Sequence, residues 1–175
     1  MALQKVKMTV DSANKRVKLL MQEVQNLAAE EQKACTYSYS AGEEPFIPEY
    51  DFETSQKQKA RFWNEIIAFK HAINVFNTTH VVPGTDMTVD QALVRLPILT
   101  KHVECLQKMR RTPSKERYVS YNGVASYTIR NFNNDVAEQH YNDAMHELQK
   151  IRQGLSKLNL TSEIEVEIDV PLEFN

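Results

Sequence analysis

The sequence predicts a mainly α protein: an antiparallel four-helix bundle or pair of coiled-coil hairpins, with a small antiparallel β element. Three observations carry this. Four segments repeat apolar residues at alternating steps of three and four, the mark of a helix with one buried seam. Only four glycines and six prolines interrupt 175 residues, which favours long regular elements. Two shorter stretches, 117–129 and 163–170, are β-branched, aromatic or strictly alternating. The length suits a single domain, 1–175, with its own core.

The first helix is expected over 3–33, on the seam Leu3, Val6, Val10, Ala13, Val17, Leu20, Val24, Leu27. A connection follows, over 35–50. Pro45 and Pro48 exclude a helix interior there, and acidic and aromatic residues mix in Glu43, Glu44, Phe46, Ile47, Glu49, Tyr50 and Asp51. A loop of that length either packs, with Phe46 and Ile47 as anchors, or forms a contact surface; packing is the expectation. The second helix, 52–79, carries Phe62, Ile66, Phe69, Ile73 and Phe76, widened by Ala60, Trp63 and Ile67 and continued by the polar Asn74 and Asn77. Asparagine at a seam fixes register and partner choice at some cost in stability; at a helix edge it merely faces water. Both readings stay open.

Pro83-Gly84 marks a turn, and Thr88 with Gln91 reads as a capping box for the third helix, 88–111. Its seam is Ala92, Leu96, Leu99, Val103 and Leu106, with Pro97 expected to kink it. Asn122-Gly123 between strand-like flanks predicts a hairpin near 117–129 with a type I′ turn. The fourth helix, 133–158, runs on Ala137, Tyr141, Ala144, Leu148, Ile151, Leu155 and Leu158. The alternation from Glu163 to Val170 predicts a strand with one apolar and one acidic face. Its acids are expected to meet the basic hairpin region, Lys108, Arg110, Arg111, Lys115 and Arg117.

Chemistry-bearing patterns are sparse. A formal charge of −2 gives no global field toward nucleic acid or anionic lipid. Asp143 and His146 share a helix face with His102 as a distant partner, but a di-metal bundle needs two such pairs and two further carboxylates. No cofactor or metal is expected. Cys105 lacks a loop to present it as a nucleophile, and phosphate-cradling loops, nucleophile elbows and Cys-x-x-Cys spacings do not occur, so the reading is non-enzymatic. Cys35 and Cys105 are expected as partly buried free thiols in a reducing compartment. Lysines and glutamates through the first thirty residues give no secretory signal, and no apolar run reaches membrane-spanning length, so the expected location is cytoplasmic.

Wide stripes on helices two and four predict a homo-oligomer or a protein partner. The candidate interaction residues are Asn74 and Asn77; Glu43, Glu44, Phe46 and Tyr50; and Lys108, Arg110, Arg111, Arg117 and Tyr118. Nucleic-acid binding through 108–117 is an alternative, since bases interleave there with tyrosines, although the overall acidity weighs against it. Membrane action by the tyrosine-rich segments is another, weighed against by the shortness of the hairpin.

The chain also resembles a bacterial family of short helical proteins, some of which carry the name septicolysin. The likeness covers residues 3 to 165. It rests on Gly42-Glu43-Glu44-Pro45, on Ile73-Asn74 with Asn77, on Gly84 leading to Thr88-x-x-Gln91-Ala92-Leu93, on Arg117-Tyr118, and on Asn159-Leu160-Thr161-Ser162-Glu163. Arg95-Leu96 stands where the family tends to have Arg-Asp, and Asn159-Leu160 where it has Asn-Trp. The toxin-like name implies membrane action; the resemblance implies no catalytic residue.

Overall fold

The computed structural model describes residues 4–168. Mainly helical, it contains α1 (Val10–Ala34), α2 (Phe52–Thr79), α3 (Val89–Arg110) and α4 (Asn134–Thr161), with strands β1 (Gln4–Thr9), β2 (Lys115–Val119), β3 (Ala125–Ile129) and β4 (Glu163–Ile168). The strands form two separate antiparallel pairs, β1–β4 and β2–β3. The chain divides into two compact units. One holds the residues up to Asn77 together with those from Leu158 on; the other is Thr78–Lys157.

In the first unit the expected helix over 3–33 is corrected at its start: Leu3 lies outside the described residues, and Gln4–Thr9 is a strand. Six residues fit a heptad and a two-residue alternation equally well, so the partner decides. That partner is β4, with Val6 opposite Val166, Lys5 opposite Glu167 and Lys7 opposite Glu165. The Lys5 ammonium lies 2.8 Å from Glu165 and 3.3 Å from Glu167. Ile164, Val166 and Ile168 are buried on the other face. The acidic tail is therefore neutralised by the amino-terminal lysines rather than by the hairpin, correcting that expectation; its residues 169–170 lie outside the described part. Thr9 then ends the strand and caps α1, accepting from the Ser12 amide.

From there the seam holds. Val10, Ala13, Val17 and Leu20 are buried on α1, and Phe69, Ile73 and Phe76 on α2. Asp51 opens α2 by accepting from the Thr54 amide at 3.2 Å. Two ionic links tie α1 to α2. Arg16 places Nε 2.8 Å and Nη2 2.7 Å from one oxygen of Glu65, and Glu31 near the end of α1 meets Lys59. The order of these contacts along the two helices makes the pair antiparallel.

In the second unit, Pro83 and Gly84 occupy the middle of a turn closed by Thr85 N–H to Val82 C=O at 3.0 Å, with Gly84 at φ +82°. The capping box forms as expected: Thr88 and Gln91 exchange amide-to-side-chain bonds of 2.9 and 3.3 Å. Helix α3 continues through Pro97, whose exposed position leaves the unpaired carbonyl one turn earlier within reach of water. Arg95 forks onto Glu147 and Arg110 bonds Glu138, linking α3 to α4 in antiparallel order. Gly154, which no periodicity singles out, is buried where the Val82–Pro83 turn meets α4; a Cβ there would lie 2.5 Å from Val82 Cγ1 and 2.9 Å from the Pro83 carbonyl oxygen.

The hairpin is present, from Lys115 to Ile129, but its turn differs from the expected type I′. The register pairs Val119 with Ala125, and Ser120 donates to the Val124 carbonyl, leaving a three-residue loop. Gly123 has φ +79° while Asn122 does not enter the left-handed region that a type I′ turn requires. This is a type I turn followed by a glycine bulge, which joins a three-residue loop without strain at the asparagine.

Candidate functional site

Three surfaces hold the sequence-derived candidates. The first is the connection between α1 and α2. Its expected anchors are not anchors: Phe46 is 86% exposed and Ile47 60%, which corrects the packing expectation and leaves both side chains in water. Tyr50 fastens the segment instead. Its hydroxyl donates to Glu31 at 2.5 Å, and the same carboxylate accepts from Gln56 at 2.7 Å, from Ser55 at 3.3 Å, and from the Lys59 ammonium. The lysine bond and then the tyrosine bond hold the Glu31 carboxyl below its ordinary range. Removal from water, followed by the hydrogen bond to Glu31, pushes the Tyr50 phenol up to about 12. Lys59 is only 7% exposed, and sequence reasoning missed it because a charged residue on an amphipathic helix reads as solvent-facing. Glu65, equally buried, was missed for the same reason. A signal was available in hindsight: each lies within one turn of Phe62 or Phe69 on the seam side of the helix.

Upstream of this anchor, Glu43, Glu44 and Glu49 are exposed, and no lysine or arginine occurs between Glu43 and Gln56. Tyr37 and Tyr39 stack on one another, ring centroids 6.4 Å apart.

The second surface is the basic segment and hairpin. Its five bases do not act as one patch. Arg110 bonds Glu138 at 2.6 Å and lies 4.0 Å over the Tyr141 ring, so it joins α3 to α4 rather than waiting for an external anion. Arg111 is the exposed C-cap of α3, and Lys108 and Arg117 are exposed. Lys115 sits 4.4 Å over the Tyr127 ring, a cation–π contact on the open face. Tyr118 donates to Glu116, which raises the phenol's pKa. Arg130, unmarked by any motif, bonds the Thr112 carbonyl and Asn134 Oδ1, tying the base of the hairpin to the start of α4. One face of the hairpin carries Lys115, Arg117, Val119, Ala125, Tyr127 and Ile129, all exposed.

The third surface is the outward side of the helices. On α2, Asn74 is exposed and Asn77 half-buried, so neither is a fully buried register-setting asparagine. The residues expected to widen the buried stripe are turned outward: Ile67 lies across the helix from Phe69, and Trp63 one turn before it, 64% and 48% exposed. Helix α3 repeats the arrangement with Val94 and Ile98 opposite Leu99 and Val103. Both cysteines are free and exposed, which corrects the expectation of partly buried thiols.

Asp143, His146 and His102 are exposed, and among the described residues no group of three or more His, Cys, Asp and Glu side chains is placed to hold a metal ion. No described helix is long and apolar enough to cross a membrane. No family model matches the chain, and neither a curated protein nor a solved structure matches it.

Proposed function

We propose that this chain is a non-enzymatic helical protein that acts through self-association or a protein partner. One observation carries the reading: α2 and α3 each bury one apolar seam and leave a second apolar ridge, Trp63–Ile67 and Val94–Ile98, in contact with water. Exposed apolar side chains aligned on a helix are what partner surfaces are made of, whereas scattered ones need no explanation. The resemblance to the septicolysin-named family adds a helical precedent and no chemistry. Sedimentation velocity across a hundredfold range of concentration, with identification of any co-purifying protein, tests the reading. A single monomeric mass throughout, with nothing retained, would end it.

A second reading has its own observation. Arg117 is exposed opposite Tyr127 and next in the chain to Tyr118, which suits phosphate contact beside base stacking on a single strand, and Lys108 and Arg111 are exposed earlier in the same segment. Anisotropy of short labelled oligonucleotides at low salt tests it; no binding there removes it. Dye release from anionic liposomes does the same for the membrane action that the toxin-like name implies.

A further inference from the structure

We propose that segment 43–49 of one copy docks on the face of the 115–129 hairpin of a second copy. The inference rests on the self-association reading and adds to it a contact separate from the α2 and α3 ridges.

Each half is uncovered. Phe46 and Ile47 stand out from the chain between Pro45 and Pro48, while Val119, Tyr127 and Ile129 stand out from the hairpin. A two-stranded hairpin with both faces in water is marginal by itself and gains from any cover. The segment is also prepared for docking. Two prolines fix their own φ and hold the preceding residues extended, so little chain entropy is lost on binding. Extended proline-spaced segments dock on aromatic faces in this manner, and Tyr127, half-exposed with Lys115 over its ring, is the aromatic side chain on this face.

Charge selects the pairing. Glu43, Glu44 and Glu49 flank the two prolines with no lysine or arginine in the chain from 43 to 56, whereas Lys115 and Arg117 share the hairpin face with the apolar residues. Hairpin against hairpin would oppose lysine and arginine to their like, and segment against segment would oppose glutamates. Only the mixed contact neutralises both. An acidic, apolar occupant also suits this face better than a nucleic acid strand. The exposed Val119 and Ile129 side chains offer nothing to phosphate, whereas Phe46 and Ile47 can cover them. Because each copy carries one of each half, the contact is either reciprocal, giving a twofold dimer, or head to tail, closing into a ring or growing as a chain.

The test is sedimentation velocity on the full chain at low and high salt. Three variants are compared with the parent: Glu43→Lys with Glu44→Lys and Glu49→Lys; Lys115→Glu with Arg117→Glu; and both sets combined. The parent is expected to associate, less so in high salt. Either set alone should weaken association by about tenfold or more, and the combined variant should return to within about threefold of the parent. The first set lies outside every helix and strand, so its effect cannot come from an unfolded hairpin. A parent that stays monomeric overturns both this inference and the self-association reading. A parent that associates equally well with either set reversed overturns the inference alone and leaves that reading standing. Short oligonucleotides that bind the parent and not the hairpin variant, with association unchanged, assign the face to nucleic acid and overturn the inference as well.

Discussion

Replacing Arg16 by methionine is the sharpest probe of the first unit. The guanidinium reaches one carboxylate oxygen of Glu65 with two nitrogens, at 2.8 and 2.7 Å, and the Glu65 side chain is only 6% exposed. Methionine keeps much of the aliphatic stem and removes the charge, leaving the buried Glu65 carboxyl without this partner. Breaking a fully buried pair this way costs about 3–5 kcal/mol. The Arg16 side chain is 33% exposed, so water repays part of that, and a loss of about 2 kcal/mol is expected. Urea unfolding followed by circular dichroism should show a lower midpoint with an unchanged slope, and the thermal midpoint should fall by about 4–8 °C. The double variant Arg16→Met with Glu65→Met removes both charges and should recover most of the loss, since apolar replacements of buried pairs are often neutral or stabilising. A single variant within about 0.5 kcal/mol of the parent, or a double variant no better than the single, would refute the reasoning.

Three further outcomes follow from the same geometry. Gly154→Ala should destabilise by about 1–3 kcal/mol in denaturant unfolding, because its methyl meets Val82 Cγ1 and the Pro83 carbonyl; in an open helix the same change would stabilise by about 1 kcal/mol. Thr88→Ala removes one half of the capping box and should cost about 1 kcal/mol by the same measurement. The Glu31 cluster gives a pH signature at both ends. The lowered Glu31 pKa makes its contribution present above the ordinary value of 4.5 and lost as pH falls through the folded value; the raised Tyr50 pKa makes its contribution full below 10.0 and lost between there and about 12. Stability measured against pH should therefore separate parent from Glu31→Gln least in acid, and parent from Tyr50→Phe least above the phenol titration.

How far the sequence reaches is visible element by element. The cap at Thr88, the seams of α2, α3 and α4, and the existence of the hairpin were all legible, because each is specified by residues close together in the chain. Phe46 and Ile47 were misread because composition says nothing of whether a covering surface is within reach. Of the candidate site residues, Tyr50 and Arg110 proved to be held by partners far along the chain, Glu31 and Glu138, while Glu43, Glu44, Lys108, Arg111 and Arg117 stand in water.

The helical character of this protein and the buried seam of each helix were legible in the sequence alone, since 3.6-residue periodicity is a property of neighbours in the chain, while the width of the stripe on α2 was not. The conformation of Gln4–Thr9 was not, because the segment suits a helix seam and a strand equally, and only the arrival of Glu163–Ile168 beside it offers backbone partners and opposed charges at once. The burial of Lys59 and Glu65 was likewise decided in three dimensions. A charge enters the interior when another helix brings a counter-charge to it, and that partner lies beyond any local pattern.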